Sequence, residues 1–369
     1  MQIALVIFRA DPEHGGAERY TADLAAALQR RGHSVDLIAS RFGPSIDGVN
    51  FIELKSTSAT RLGAYRTFLS QLDDQLARSN YDIVHAMLPV TNCDIYHPHA
   101  GLASEAMERK WTNRWNFKRR EFANVERQLI SGAQKPIVLC LSDYVAKLAL
   151  EQYPNAKPQL VKLFNAVDLE RFNPAGGSSI RKQFGIETAA VVALMIAQDF
   201  ERKGLATAIQ ALGSTDPILL VAGRDDFRPY AALAKKLGVA ERVIFAGATD
   251  AAENFYSSAD FFVLPTRHDP CSLVVLESLA MGLPVISTVF NGACEIMENG
   301  RHGFVLNDPS DVGALAEAMR KMTDANFRKS AREACLALRP QLSFDAHVQR
   351  LEQIYLSRVA QKSAARAKE

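Results

Sequence analysis

The sequence predicts an α/β protein built from two domains with parallel sheets. Its 369 residues exceed what one hydrophobic core ordinarily organises. Short apolar runs of strand length alternate with stretches of helical periodicity, and this rhythm passes through the chain twice. The first run, residues 3–8, is apolar throughout, as in a strand covered on both faces.

Composition narrows the function classes. Hydrophobic residues make up 48 % and charged residues 23 %, ordinary for a globular protein, and the net charge of +2 is too small to point to nucleic acid. Cys93, Cys140, Cys271, Cys294 and Cys335 are scattered without metal-type spacing and suit a reducing cytosol as thiols. The opening residues have too short an apolar core for a signal peptide, and no apolar run is long enough to span a bilayer. The expectation is a cytoplasmic protein that meets a membrane, if at all, from the side.

In the first half, strands are expected at residues 3–8, 34–39, 51–54, 82–87, 94–97 and 137–141, with helices after Gly16, over 62–77 and over 144–152. Gly15 and Gly16 lie adjacent at the first strand-to-helix turn. No third glycine completes the spacing, so this is not the dinucleotide fingerprint. The pair suits close approach of backbone N–H groups to a ligand, and a simple tight turn explains it equally well. His97 and His99 flank Pro98 after a strand. No third ligand has suitable spacing, so a metal is not expected, and a loop histidine bonded to backbone remains the plain alternative.

Residues 105–129 read as one basic, aromatic helix. Met107, Trp111, Trp115, Phe122, Val125 and Leu129 recur at three- or four-residue spacing, interleaved with Arg109, Lys110, Arg114, Lys118, Arg119 and Arg120. Such a helix fits contact with anionic lipid, with Arg109, Lys110, Trp111, Arg114, Trp115 and Lys118 as contact residues. A core-facing aromatic stripe with a solvated basic face fits equally. Residues 175–179 have linker composition, which puts a domain boundary near residue 170.

In the second half, strands are expected at residues 191–197, 218–223, 243–247, 261–264, 284–288 and 303–306, and a last helix from residue 343. Arg202 and Lys203 fall in a strand-to-helix loop at the edge where such sheets bind ligands. Adjacent cations there suit a diphosphate. Gly223 ends the next strand. Residues 261–288 form a strand, a loop, a helix and a strand, with Asp269 in the loop and Glu277 in the helix. The two carboxylates could hold the two ends of an extended polar ligand. On spacing alone, a dipole-complementing acid and a solvated helix Glu explain them more readily.

The stretch D-P-C-S-L-V-V-L-E, residues 269–277, resembles the acid-x7-acid signature of the retaining family 4 glycosyltransferases of the two-Rossmann-domain "GT-B" fold. Residues 199–205, D-F-E-R-K-G-L, resemble that family's phosphate loop, and residues 163–174 its interdomain segment with Ala166 for Gly. Residues 94–100, D-I-Y-H-P-H-A, and the basic aromatic segment resemble the lipopolysaccharide-core glucosyltransferases of the family. The departures are Asp269 where Glu is usual and Ser272 where Gly is usual.

The resemblance implies two Rossmann-like domains with parallel sheets facing across a cleft that closes at a hinge. An acceptor domain of residues 1–170 would be completed by a C-terminal helix, 344–369, crossing back to it, and residues 171–343 would form the donor domain. It implies hexose transfer from a UDP-sugar, UDP-glucose foremost, with retention and without metal or other cofactor. The acceptor would be a saccharide or glycolipid, and the location the inner face of the cell membrane. Arg202 and Lys203 would hold the diphosphate. Asp269, with the N–H groups of Cys271, Ser272 and Leu273, would hold the sugar, and Glu277 the ribose. His99 would stand by the transferred sugar, Gly15 and Gly16 would line the crevice, and Gly223 would lie near the nucleoside. An epimerase or phosphorylase on the same fold, or a non-catalytic membrane-bound binder of sugar nucleotides, are the alternatives.

Overall fold

The computed structural model describes residues 1–13, 15–56, 58–99, 101–108, 116–132 and 135–366. It contains two compact units, Met1–Phe164 with His347–Glu369, and Asn165–Ala346.

The first unit carries a seven-stranded parallel sheet. Its strands are β1 (Gln2–Val6), β2 (Ser34–Ala39), β3 (Asn50–Glu53), β4 (Ile83–Ala86), β5 (Ile95–Tyr96), β6 (Ile137–Cys140) and β7 (Leu160–Lys162), in the order β3-β2-β1-β4-β5-β6-β7. Leu5 of β1 sits in register with Leu37 on one side and His85 on the other. Strand order reverses between β1 and β4, the switch point that opens a crevice at the carboxyl edge. Helices Gly16–Arg30, Arg61–Ala77 and Phe117–Ser131 lie against it, each with a buried apolar stripe. Glu126 is fully buried and gathers five donors: the hydroxyls of Tyr96, Ser104 and Tyr153 and the N–H groups of Ala103 and Ser104. That carboxylate fixes the start of helix Ala103–Glu108.

The last helix, Phe344–Arg366, packs in the first unit from His347 onward. Val348, Leu351, Ile354 and Tyr355 form its buried stripe. Polar contacts fix its register. Glu352 meets Arg31 and His33 at 2.7 Å each, and Asp94 accepts from Lys362 Nζ at 2.9 Å. His347 donates from Nδ1 to the Phe164 carbonyl at 2.7 Å and accepts from the Tyr20 hydroxyl at 2.6 Å. Burial keeps the ring neutral, so with Nδ1 donating to the carbonyl Nε2 is the acceptor. Around them stand His85, His97 and His99. The ring of His97 stacks on His85 at 5.4 Å, and Tyr20 faces His97 edge-on. Among the described residues neither ring nitrogen of His97 has a hydrogen-bond partner. No group of three or more potential ligands among the described residues could hold a metal ion. The rings pack as an aromatic cluster.

The second unit carries a six-stranded parallel sheet of β8 (Val192–Ile196), β9 (Ile218–Ala222), β10 (Val243–Gly247), β11 (Phe261–Val263), β12 (Val285–Thr288) and β13 (Gly303–Leu306), in the order β10-β9-β8-β11-β12-β13. The reversal now falls between β8 and β11. The loops leaving these two strands are therefore neighbours, although they are far apart in sequence.

Two sequence expectations change. The segment 105–129 is not one helix. Helix Phe117–Ser131 starts afresh after Asn116, which is extended (φ −86°, ψ 97°) and accepts from the Arg119 N–H. Phe122, Val125 and Leu129 pack on the core of the first unit, so the core alternative holds for this half. Arg109, Lys110, Trp111, Arg114 and Trp115 lie outside the described residues. The stretch of linker composition is fastened to the second unit. Ser178 N–H donates to Asn254, Ile180 N–H to Ser258, and Arg181 to Asp260 and the Ala190 carbonyl. Arg339 reaches the Phe172 and Leu169 carbonyls, binding residues 169–172 to the same unit.

Burial holds His97 well below its ordinary pKa, His85 at about 3 and His347 at about 4. A histidine kept neutral by the fold gives stability that is complete above pH 6.5 and is lost as pH falls towards its folded pKa. Each such group contributes a slope of about 1.4 kcal/mol per pH unit in that window. Replacing His97 by Phe keeps the ring and removes the titration. Calorimetric Tm of His97→Phe should therefore fall less than wild type between pH 7.5 and 5; parallel declines would refute a neutral buried His97.

Candidate active site

The site in the second unit grows from the two loops at the strand reversal. After β8 the chain turns at Asp199, the single non-glycine with positive φ among the described residues (φ 69°, ψ 68°). Such a conformation costs about 1–3 kcal/mol and marks a position the surroundings enforce. Asp199 caps the one-turn helix Phe200–Lys203, accepting from the Arg202 N–H at 3.1 Å and from its Nε at 3.0 Å. Gly204 closes the turn at φ 80°, where a Cβ would collide with the Pro265 carbonyl. Arg202 and Lys203 thus lie in a short helix of their own rather than in an open loop.

After β11, residues 265–272 return alongside. Arg202 Nη1 donates to the His268 carbonyl at 2.7 Å, and Arg267 N–H donates to the Arg202 carbonyl at 2.9 Å. Lys203 forms an ion pair with Asp269, with side-chain exposures of 11 % and 10 %. A buried pair of this kind is held by mutual Coulomb attraction against desolvation. Asp269 is also clamped through its backbone. Its N–H donates to the Phe290 carbonyl at 2.8 Å and its carbonyl accepts from Gly292 N–H at 3.0 Å.

Asn291 locks the turn into the next helix. Its Oδ1 accepts from Ser272 N–H at 3.3 Å and from Ala293 N–H at 3.2 Å, and its Nδ2 donates to Ser287 at 3.1 Å. Of the three N–H groups expected to face a sugar, that of Ser272 is therefore already engaged. Cys271 offers its carbonyl to Asn165 Nδ2 at 3.1 Å, and Leu273 opens helix Leu273–Ala280, whose first turn has no side-chain cap. All five cysteines are buried free thiols whose pKa burial raises, which leaves none poised as a thiolate nucleophile.

Glu277 lies farther along the same helix and accepts from the Tyr256 hydroxyl at 2.8 Å. Burial raises its pKa, while the Tyr256 bond and the Arg171 charge oppose the rise. Gly223, after β9, donates to the Gly247 carbonyl, and a Cβ there would collide with the Ala197 carbonyl. Close packing accounts for that glycine without a ligand.

In the first unit, Gly15 precedes helix Gly16–Arg30 in extended conformation and leaves its first turn without a side-chain cap. His99 lies beyond β5 at the same carboxyl edge, 9 % exposed, with its ring 4.3 Å from that of Tyr20.

The strand reversal with a cationic turn beside an acidic loop defines a class of protein. Residues 14–171 match the model for Glycosyltransferase Family 4, and residues 178–335 match Glycosyl transferases group 1. The chain belongs to these GT-B glycosyltransferases, with one domain of each kind. It is 25 % identical over 335 residues to the lipopolysaccharide glucosyltransferase WaaG of Escherichia coli K12, covering 87 % of this chain and 89 % of that protein. It is 23 % identical to the uncharacterized glycosyltransferase MJ1607 of Methanocaldococcus jannaschii, across 89 % and 91 % of the two chains. The crystal structure of WaaG superposes with a TM-score of 0.81 at 22 % identity, covering 96 % of this chain and 99 % of that one. Anabaena HepE in complex with UDP-glucose gives 0.74 at 17 % identity, covering 97 % and 100 %.

The buried pair is open to a direct measurement. Lys203→Ala leaves a buried carboxylate unpaired and should destabilise the second unit by about 3 kcal/mol, while Asp269→Ala added to it should cost little more. Urea denaturation of the two single variants and the double variant measures the coupling, and additive losses would show that the pair contributes nothing.

Proposed function

We propose that this glycosyltransferase moves glucose from UDP-glucose to a saccharide hydroxyl of a lipopolysaccharide-core or other lipid-linked acceptor, with retention and without a metal. The observation that carries the reading is the convergence of Arg202, Lys203 and Asp269 at the strand reversal of the second sheet. The names of the relatives support the donor and acceptor classes: WaaG is a lipopolysaccharide glucosyltransferase, and HepE is described with UDP-glucose.

In this mechanism the bond between the sugar carbon and the diphosphate breaks, and its electron pair goes to the diphosphate oxygen. The acceptor oxygen forms the new bond on the same face, and its proton leaves with the diphosphate. Arg202 and Lys203 stabilise the departing charge, the task a metal performs in other transferases. An ammonium has three donors, so Lys203 can serve Asp269 and a phosphate oxygen together. Asp269 keeps a second carboxylate oxygen for a sugar hydroxyl, beside the N–H groups of Cys271 and Leu273. Glu277, held by Tyr256, accepts from the ribose. In the first unit His99 donates to the transferred sugar, and the Gly15–Gly16 turn lines the acceptor side. The basic aromatic sequence 109–118 supports peripheral contact with an anionic membrane at the cytoplasmic face. No helix among the described residues is long and apolar enough to cross one. Equal binding of wild type and a Trp111→Ala/Trp115→Ala variant to phosphatidylglycerol vesicles would remove that contact.

UDP release should require a core-oligosaccharide acceptor, persist in EDTA and fall about hundredfold in kcat for Arg202→Ala. Release without acceptor would favour a phosphorylase, and tight UDP-glucose binding without turnover a binder. A second measurement isolates Glu277. UDP affinity should weaken as pH falls through its raised pKa, and in Tyr256→Phe the weakening should begin at higher pH, because a bond favouring the carboxylate is gone. Superimposable profiles of Kd against pH would exclude Glu277 from the ribose site.

A further inference from the structure

Three cations lie at the carboxyl edge of the first sheet, and Arg61 and Arg9 act on the charge of Lys118. Arg9 lies just beyond β1, Arg61 opens helix Arg61–Ala77, and Lys118 is the second residue of helix Phe117–Ser131. The Lys118 ammonium lies 5.4 Å from the ring centre of Phe8 and 5.2 Å from that of Phe122. Those rings belong to an aromatic floor. Phe122 stacks on Tyr65 at 4.2 Å, and Phe8 meets Phe68 edge-on at 5.4 Å. Lys118 is half-buried on this floor, which recesses its charge instead of projecting it from the surface.

This arrangement is electrostatically costly in the empty protein. Burial, then the charges of Arg61 and Arg9, hold the Lys118 pKa below its ordinary value. Among the described residues no carboxylate pairs with Arg9, Arg61 or Lys118. The nearby Glu121 is taken by Arg66, Nε to Oε1 at 2.7 Å. Both helices begin with cations and have no acid in the first turn, although the positive end of a helix dipole disfavours cations there. Like charges, two positive helix ends and a desolvated ammonium are all relieved by one ligand type, a compact multivalent anion.

We propose that Arg9, Arg61 and Lys118 form a phosphate-binding subsite of the first unit, which holds a phosphoryl group carried by the sugar acceptor. It rests on the reading that the second unit takes the nucleotide sugar. Arg9 and Arg61 supply planar forks of donors and Lys118 a point charge. The acceptor class is thus a phosphorylated saccharide, distinguished from its neutral counterpart by charge.

The test is calorimetric titration of glucose 6-phosphate and of glucose into the full chain, with and without saturating UDP. Glucose 6-phosphate should bind in both conditions and clearly tighter than glucose. Lys118→Gln and Arg9→Gln should each weaken it about tenfold, and the triple variant with Arg61→Gln should abolish it. Lys235→Gln/Lys236→Gln, on a helix of the second unit, should leave it unchanged, and UDP affinity should be the same in all variants. Equal affinity for the two sugars, or retention of glucose 6-phosphate by the triple variant, overturns the proposal. So does loss of phosphatidylglycerol-vesicle binding with sugar-phosphate binding intact, which would make the patch a membrane surface. Failure of UDP itself to bind, with patch-dependent glucose 6-phosphate binding preserved, removes the donor reading and leaves the phosphate subsite standing.

Discussion

The ion pair between Lys203 and Asp269 is the interaction around which the second unit is arranged. Neither charge could stay in so dry a place alone. The strand reversal brings their loops together, the left-handed turn at Asp199 aims the short helix, and Gly204 lets it approach the Pro265 carbonyl. On the other side, the bonds from Asp269 to Phe290 and Gly292 tie the carboxylate to the loop after β12. The result is a rigid, preorganised charge distribution, which is what electrostatic catalysis requires. Aspartate in place of the longer acid usual in the family fits this geometry, since the shorter side chain already meets the ammonium.

Much of this is legible in the sequence. Parallel strands buried on both faces have apolar runs such as 3–8 and 261–264, and those runs identify themselves. β7 gives no such signal because Leu160–Lys162 is an edge strand of three residues, too short for any period. The basic segment reads as one helix because its 3.6-residue pattern continues across Asn116. At Asn116 an extended residue and its capping hydrogen bond break it. The Arg202, Lys203 and Asp269 residue types are visible, but their pairing depends on strand order, which periodicity does not encode. Asn291 and Tyr256 have no signal at all. The bonds that matter to the site, Asn291 to Ser272 and Tyr256 to Glu277, join residues about 20 positions apart in sequence, a relation that exists only in three dimensions.

The first unit solves a different problem. Its final helix arrives from the far end of the chain, so its register cannot come from local sequence. The buried stripe of Val348, Leu351, Ile354 and Tyr355 sets which face packs, and the polar contacts of His347, Glu352 and Lys362 set how far it slides. An apolar face alone tolerates slippage by a turn, and directional bonds do not. The price is a group of histidines that must stay neutral, which ties this packing to the acidity of the surroundings.

Glu126 carries an implication for protein engineering. Its carboxylate ties together residues from three separate stretches, Tyr96, the Ala103–Ser104 turn and Tyr153. Exchanging residues 98–108 with those of a relative would therefore transplant only part of a hydrogen-bonded module. A chimera that imports the new loop without matching Glu126 and the two tyrosines would strand a charge in the interior, so the smallest portable cassette runs from β5 through Tyr153.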